Sequence, residues 1–251
     1  MFYVIRLKKL RFLCAAALLF CLLTAIIIGR YDAHEAAVSA LRSEQEAERV
    51  LVIDAGHGGA DGGAVAPDGM LESTVNLAVA QKTEALCHLF GIRCVMTRSG
   101  EELDYPEEAA SIHQKKVWDQ KTRVALINGT ENAVLLSIHQ NIFPDPRPSG
   151  SQVLYAATAG SQEFGELTHG NLVSLLDPEN RRVAAPISKD IFLMRSVNCP
   201  AILVECGFLS NAAESAKLAD DSYRTKLAVI LFASYIQYTD SLRDPGMELA
   251  A

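Results

Sequence analysis

Short apolar runs alternate along the chain with longer stretches in which apolar residues return every three or four positions. Val50–Ala55 (VLVIDA), Ile92–Thr97 (IRCVMT), Ala133–His139 (AVLLSIH), Gln152–Ala157 (QVLYAA), Asp190–Met194 (DIFLM) and Ala201–Cys206 (AILVEC) read as strands. Glu72–Phe90 carries Val75, Ala78, Val79, Leu86, Leu89 and Phe90 at helical spacing, and Lys121–Asn128, Gln162–Leu176 and Tyr223–Tyr238 also read as helices. Strands alternating with helices predict a single-domain α/β fold with a mostly parallel sheet. Two segments break the pattern. Glu101–Lys121 is charged, contains Pro106 and reads as a surface insertion, and Pro144–Gly150 (PDPRPSG) reads as a rigid loop.

The N-terminus follows a different pattern. Phe12–Gly29 is an uncharged run of 18 residues, preceded by Arg6, Lys8, Lys9 and Arg11. That length lies nearer a spanning helix than a signal-peptide core, and the basic flank stays cytoplasmic. Residues 1–30 are therefore expected to form an uncleaved signal-anchor, a transmembrane helix. The competing reading is a removed signal cut after Val38–Ala40 (VSA). Residues 31–49 read as a polar juxtamembrane spacer, 50–240 as the folded domain on the extracytoplasmic side, and 241–251 as a C-terminal tail.

Charge sharpens this division. Five of the 23 Lys and Arg residues and none of the 30 Asp and Glu residues lie in residues 1–30, so the remainder holds 18 basic against 30 acidic residues, a formal charge of −12. An acidic domain argues against nucleic acid, whose binding needs a basic patch, and a nucleic-acid partner is not expected. Cys14 and Cys21 fall in the apolar run. Cys87, Cys94, Cys199 and Cys206 have no C-x-x-C spacing, and either disulfides or buried free thiols fit them.

Candidate chemistry concentrates at strand ends. The stretch IDAGHGGADGGA, Ile53–Ala64, has Gly56 and Gly58 at dinucleotide-fingerprint spacing, but Asp61 takes the place of the third glycine, and no G-K-[ST] follows. Phosphate binding is therefore poorly supported. Ligands of an open parallel sheet bind outside the carboxyl ends of its strands. His57 follows the first strand, His139 ends the third, Glu205 lies at the end of the last, and Glu72 opens the helix after the glycine loop. Two histidines and one or two glutamates can thus converge. Such a set matches a catalytic zinc site, in which three protein ligands leave a position for water and a further carboxylate carries protons. Each residue also has a plainer role: a turn, a strand end, a helix start, a buried carboxylate. His34, His88, His113 and His169 are expected to be structural.

These motifs carry a resemblance. VIDAGHGGADGGA, GMLESTVNLAVA, LLSIHQN and ILVECGFLSN, in this order, strongly resemble the zinc-dependent N-acetylmuramoyl-L-alanine amidases of the amidase-3 family, over roughly Val50–Tyr238. The resemblance implies an α/β fold with a central twisted sheet, Zn²⁺ bound by His57, Glu72 and His139, and Glu205 as the catalytic glutamate. It implies peptidoglycan as substrate, cut between the lactyl group of N-acetylmuramic acid and L-alanine, and admits an accessory protein as partner. Ala55 and Gln140 depart from the residues frequent at their places, and neither replaces an implied ligand. The stretch SIHQKKVWDQKTRV and the short chain resemble the sporulation-type members, which implies a part in forming muramic-δ-lactam in spore cortex. Two other functions remain open: a zinc carboxypeptidase acting within the stem peptide, and a non-catalytic, membrane-tethered wall-binding protein. Arg98 is expected in a surface ion pair or against a peptide carboxylate, and Asn141 beside the ligands or capping a loop.

Overall fold

A computed structural model describes residues 48–243 together with Thr24 and Arg30. The expected anchor, the spacer up to residue 47, His34 and the tail from residue 244 lie outside the described residues. Among the described residues no helix is long and apolar enough to cross a membrane. Strands β1 (Val50–Ala55), β2 (Cys94–Met96), β3 (Ala133–Asn141), β4 (Gln152–Tyr155), β5 (Ala185–Pro186) and β6 (Ala201–Phe208) form one sheet in the order β2-β1-β3-β6-β4-β5. The β1–β2, β1–β3, β3–β6 and β4–β5 pairs are parallel, and β4 runs antiparallel to β6. The sheet is mixed, with the expected parallel majority.

Helices α1 (Glu72–Leu89), α2 (Ile112–Gly129), α3 (Ser161–Leu176), α4 (Phe192–Ser196), α5 (Ala212–Ala219) and α6 (Asp221–Arg243) complete the domain. The pleat sends alternate residues of the central strands to two apolar layers. Leu51, Ile53, Val134, Leu136, Ile138, Ile202 and Val204 pack with Val75 and Val79 of α1, Phe164 of α3 and Leu231 of α6. Val52, Leu135, Ala201 and Leu203 pack on the other side with Ile127 of α2 and Leu193 and Met194 of α4. Burial on both faces explains why β1, β3 and β6 are continuous apolar runs.

Two expectations are corrected. Asp190–Met194 is not a strand: it forms a turn and the start of α4, and Leu193 and Met194 enter the second layer from a helix. The strand in this region is the two-residue β5. The segment Glu101–Lys121 is not wholly an insertion either, because α2 begins at Ile112 rather than Lys121. Ser111 accepts from the backbone N–H of Gln114, and the Gln114 side chain accepts from the Ser111 N–H, so a capping box starts the helix inside the charged run. Cys87, Cys94, Cys199 and Cys206 are free thiols.

Candidate metal centre

The carboxyl ends of β1, β3 and β6 bring four side chains to one rim. His139 and Glu205 are register partners across the β3–β6 ladder, on the face shared with Leu135 and Leu203. The glycine loop after β1 carries His57, whose φ of 60° lies in the left-handed region, with Gly58 and Gly59 also at positive φ. The turn closes through paired bonds between Gly58 and Asp61, N–H to carbonyl at 2.7 and 3.0 Å. Glycine at position 56 is a packing requirement: a Cβ there would lie 2.3 Å from the His139 ring.

Glu72 is the first residue of α1, where the helix dipole favours a carboxylate. Its Oε2 accepts from the Ala64 N–H at 2.9 Å, and its Oε1 accepts from the Gln140 N–H at 3.1 Å and from Asn76 Nδ2 at 3.3 Å. Oε1 lies 2.9 Å from His139 Nδ1, and Oε2 lies 3.3 Å from His57 Nε2. The two imidazoles stand edge to face with centroids 5.0 Å apart. One donor atom from each of His57, Glu72 and His139 falls within a 4.8 Å cluster, and the three could together hold a metal ion. Two imidazoles and a carboxylate form the borderline-soft donor set that suits a catalytic divalent transition metal.

Electrostatics follow from this crowding. Burial would raise the Glu72 carboxyl, but hydrogen bonds from His139 and His57 outweigh it and hold the group far below the usual carboxylate range. Burial would lower His57, but Asp61 at 2.9 Å from Nδ1, with Glu72 on the other nitrogen, raises it to about 9. Lys116 of α2 in turn lies 2.9 Å from the same Asp61 oxygen. Glu205 differs. Burial raises its carboxyl, and Oε2 is buried with no hydrogen-bond partner among the described residues. A cavity of about 190 Å³ opens beside this rim, lined by His57, Asp61, Lys116, Arg123, His139 and Leu203 among others.

A second layer holds the loop in place. Arg98 donates from Nε to the Ala55 carbonyl and from Nη2 to those of Gly56 and Ser73, at 2.9, 3.2 and 2.8 Å. Arg123 donates from Nη1 to the Ala55 carbonyl and the Asp54 carboxylate, both at 2.7 Å, and from Nη2 to the His57 carbonyl at 2.6 Å. Both arginines are only 5% exposed, so Arg98 is neither a surface ion pair nor a free peptide receptor. Gln140 points away from His139, as strand alternation requires, and donates to Asn76 Oδ1 at 3.1 Å. Asn76 Nδ2 also donates to the Gly56 carbonyl at 3.0 Å. The Asn141 carbonyl accepts from the Leu209 N–H, and its side chain makes no bond to His57, Glu72 or His139. Sequence reasoning assigned no role to Asp61, Asn76, Lys116 or Arg123. Asp61 and Asn76 each had a local signal, four residues after His57 and Glu72 within the same motifs. His88 and His113 are exposed on helices, and His169 is buried against the Arg182 carbonyl at 2.7 Å.

Residues 51–234 match the family described as N-acetylmuramoyl-L-alanine amidase. The germination-specific N-acetylmuramoyl-L-alanine amidase of Bacillus subtilis (strain 168) is 32% identical over 198 residues, covering 78% of this chain and 82% of that protein. The CwlD amidase from Clostridioides difficile, solved in complex with the GerS lipoprotein, superposes with a TM-score of 0.73 at 31% identity, covering 77% of this chain and 99% of that one. The catalytic domain of CwlV, an N-acetylmuramoyl-L-alanine amidase from Bacillus (Paenibacillus) polymyxa var. colistinus, gives 0.64 at 28% identity, covering 76% and 98%.

Proposed function

Because this chain belongs to the N-acetylmuramoyl-L-alanine amidase family, we propose that His57, Glu72 and His139 bind Zn²⁺ and that Glu205 carries protons in the hydrolysis of peptidoglycan. The bond cut joins the lactyl carbonyl of N-acetylmuramic acid to the nitrogen of L-alanine. The observation that carries this reading is the clustering of three metal-competent donors beside a buried carboxylate on the neighbouring strand.

Zn²⁺ held by His57, Glu72 and His139 would supply Lewis acidity to the scissile carbonyl and would lower the pKa of water. The chain's own residues do the rest. Asp61 on His57 Nδ1 fixes the ring so that Nε2 faces Glu72. Glu205 takes a proton as water adds to the carbonyl carbon, and returns it to the L-alanine nitrogen as the C–N bond breaks. Burial raises the Glu205 carboxyl, which makes it a better base than a solvated glutamate. The products are a lactyl carboxylate on the sugar and a stem peptide with a free amine.

The finer reading places this chemistry in spore cortex, where peptide removal precedes muramic-δ-lactam formation. The likeness to a germination-specific amidase supports it. The run Phe12–Gly29 with its basic flank supports a membrane anchor with the domain outside the cytoplasm. A lipoprotein bound to the similar CwlD supports an accessory protein for this chain too.

The test is digestion of purified cortex-type and vegetative peptidoglycan by the zinc-loaded protein, with products read by mass spectrometry. Glycan strands freed of whole stem peptides support the amidase reading. Stems shortened by one residue would assign a carboxypeptidase, and unchanged peptidoglycan would leave only a wall-binding role.

A further inference from the structure

Arg182, between α3 and β5, has a fixed backbone and an incompletely used side chain. Its N–H donates to Asn180 Oδ1 at 3.0 Å, and its carbonyl meets His169 Nε2 at 2.7 Å. The guanidinium lies over the Phe208 ring, 5.0 Å from the centroid, and Nη2 donates to Gln152 Oε1. Gln152 is the register partner of Glu205 across the β4–β6 pair, so the two side chains leave the same face of the sheet. The Arg182 charge acts favourably on the Glu205 carboxylate. Arg181 pairs with Glu179 on the surface, whereas Arg182 makes no ion pair among the described residues. Arg182 Nε is buried without a hydrogen-bond partner among the described residues, and so is Glu205 Oε2.

A buried donor left unpaired costs about 1–3 kcal/mol, and Arg182 as a whole is only part-buried, so a carboxylate that reaches the guanidinium gains by pairing with it. A guanidinium fork stacked on an aromatic ring matches a carboxylate. Two carboxylates near the scissile bond fit this fork: in the substrate, that of the acidic residue after L-alanine, and in the product, the lactyl carboxylate that hydrolysis frees. We propose, resting on the amidase reading above, that Arg182 binds a carboxylate of the muramyl-peptide substrate or of its hydrolysis product next to Glu205. It is a positioning residue that acts through substrate or product binding, and it moves no proton.

The experiment uses the zinc-loaded full chain on N-acetylmuramoyl-L-alanyl-D-glutamate and on its isoglutamine amide, with N-acetylmuramic acid as inhibitor and N-acetylglucosamine as control. If the ligand is the stem carboxylate, Arg182→Gln raises KM for the acid about tenfold while kcat stays within about twofold. Amidation then raises the wild-type KM by a similar factor and leaves the variant indifferent. If the ligand is the lactyl carboxylate, amidation has no effect, and N-acetylmuramic acid inhibits the wild type but not Arg182→Gln. Arg182→Lys restores part of the binding in either case, with zinc content unchanged. Variants that match the wild type in KM and inhibition, or that lose kcat equally on both peptides, overturn the assignment of Arg182. A wild type that cleaves neither peptide overturns the amidase reading instead, and the assignment falls with it.

Discussion

The Arg123 guanidinium closes on the Asp54 carboxylate at 2.7 Å, and its other amino group reaches the carbonyl of His57 at 2.6 Å. One side chain from α2 thus ties a buried strand carboxylate to the backbone of a candidate metal ligand. Ser137 donates to the second Asp54 oxygen at 2.6 Å and Thr97 to the first at 2.8 Å, which completes the carboxylate's shell.

Removing one partner of this pair leaves a buried charge uncompensated. Arg123→Met is expected to lose about 3–5 kcal/mol of stability by urea denaturation, together with zinc affinity, because the His57 carbonyl is released. A loss below about 1 kcal/mol would show that the pair contributes little to holding the loop.

The same pair sets an acid limit. Burial would raise the Asp54 carboxyl, but the Arg123 charge and the Ser137 hydrogen bond lower it to about 2. The folded value lies below the unfolded one, so the stabilisation is complete above about pH 4 and drains away as pH falls towards 2. Its size is about 2 kcal/mol. Urea midpoints between pH 6 and pH 2.5 should fall accordingly, and Asp54→Asn should flatten that part of the slope. An Asp54→Asn protein with the wild-type acid slope would remove Asp54 as the cause.

His57 predicts a different dependence. In the metal-free protein its ring is held up to about 9 despite burial, chiefly by Asp61 and Glu72. That raised value stabilises the metal-free fold fully below about pH 6.5, and the contribution is lost as pH rises through 9. A metal must displace this proton, so apparent zinc affinity should rise about tenfold per pH unit from 6.5 to 9, with about one proton released. Calorimetry in buffers of differing ionisation enthalpy measures both quantities, and an affinity flat over that range would contradict the assignment.

Two glycines should respond in opposite ways. A Cβ at Gly56 meets the His139 ring at 2.3 Å, whereas a Cβ at Gly69, also in a turn, meets nothing within 4 Å. Gly56→Ala is expected to lose zinc and activity. Gly69→Ala, with φ of 92°, should keep both and pay only about 1–2 kcal/mol of backbone strain. Retention of zinc at a one-to-one ratio in Gly56→Ala, measured by atomic absorption, would mean the His139 ring has another resting place.

Glu205→Gln keeps the size of the side chain and removes its proton chemistry. It should retain zinc and lose at least about 100-fold in kcat on muramyl peptides. A variant with wild-type kcat would transfer the proton-carrying role elsewhere.

How much of this was legible in the sequence depended on whether the signal was local. β1, β3 and β6 are largely buried apolar runs, and the polar residues at or just past the end of each run pointed to His57, His139 and Glu205. Glu72 was readable as a helix opening after a glycine loop. By contrast, Asp190–Met194 is a short apolar run whose length suits either element, and packing from α4 decided it. β5 is two residues long and carries no periodic signal. The start of α2 was hidden because its first half is mostly polar and exposed or half-buried, and only Arg123 and Ile127 of the whole helix are buried. Arg98 and Arg123 were unreadable for a related reason: arginine suggests a surface, and their partners are backbone carbonyls that only folding brings within reach.

The strand order has a consequence for durability. β3 and β6 are the two innermost members of the sheet, and the shortest strands, β2 and β5, form its margins. Unzipping that begins at either margin must consume β1 or β4 before it reaches His139 or Glu205. Their amides should therefore be among the last to exchange with deuterium.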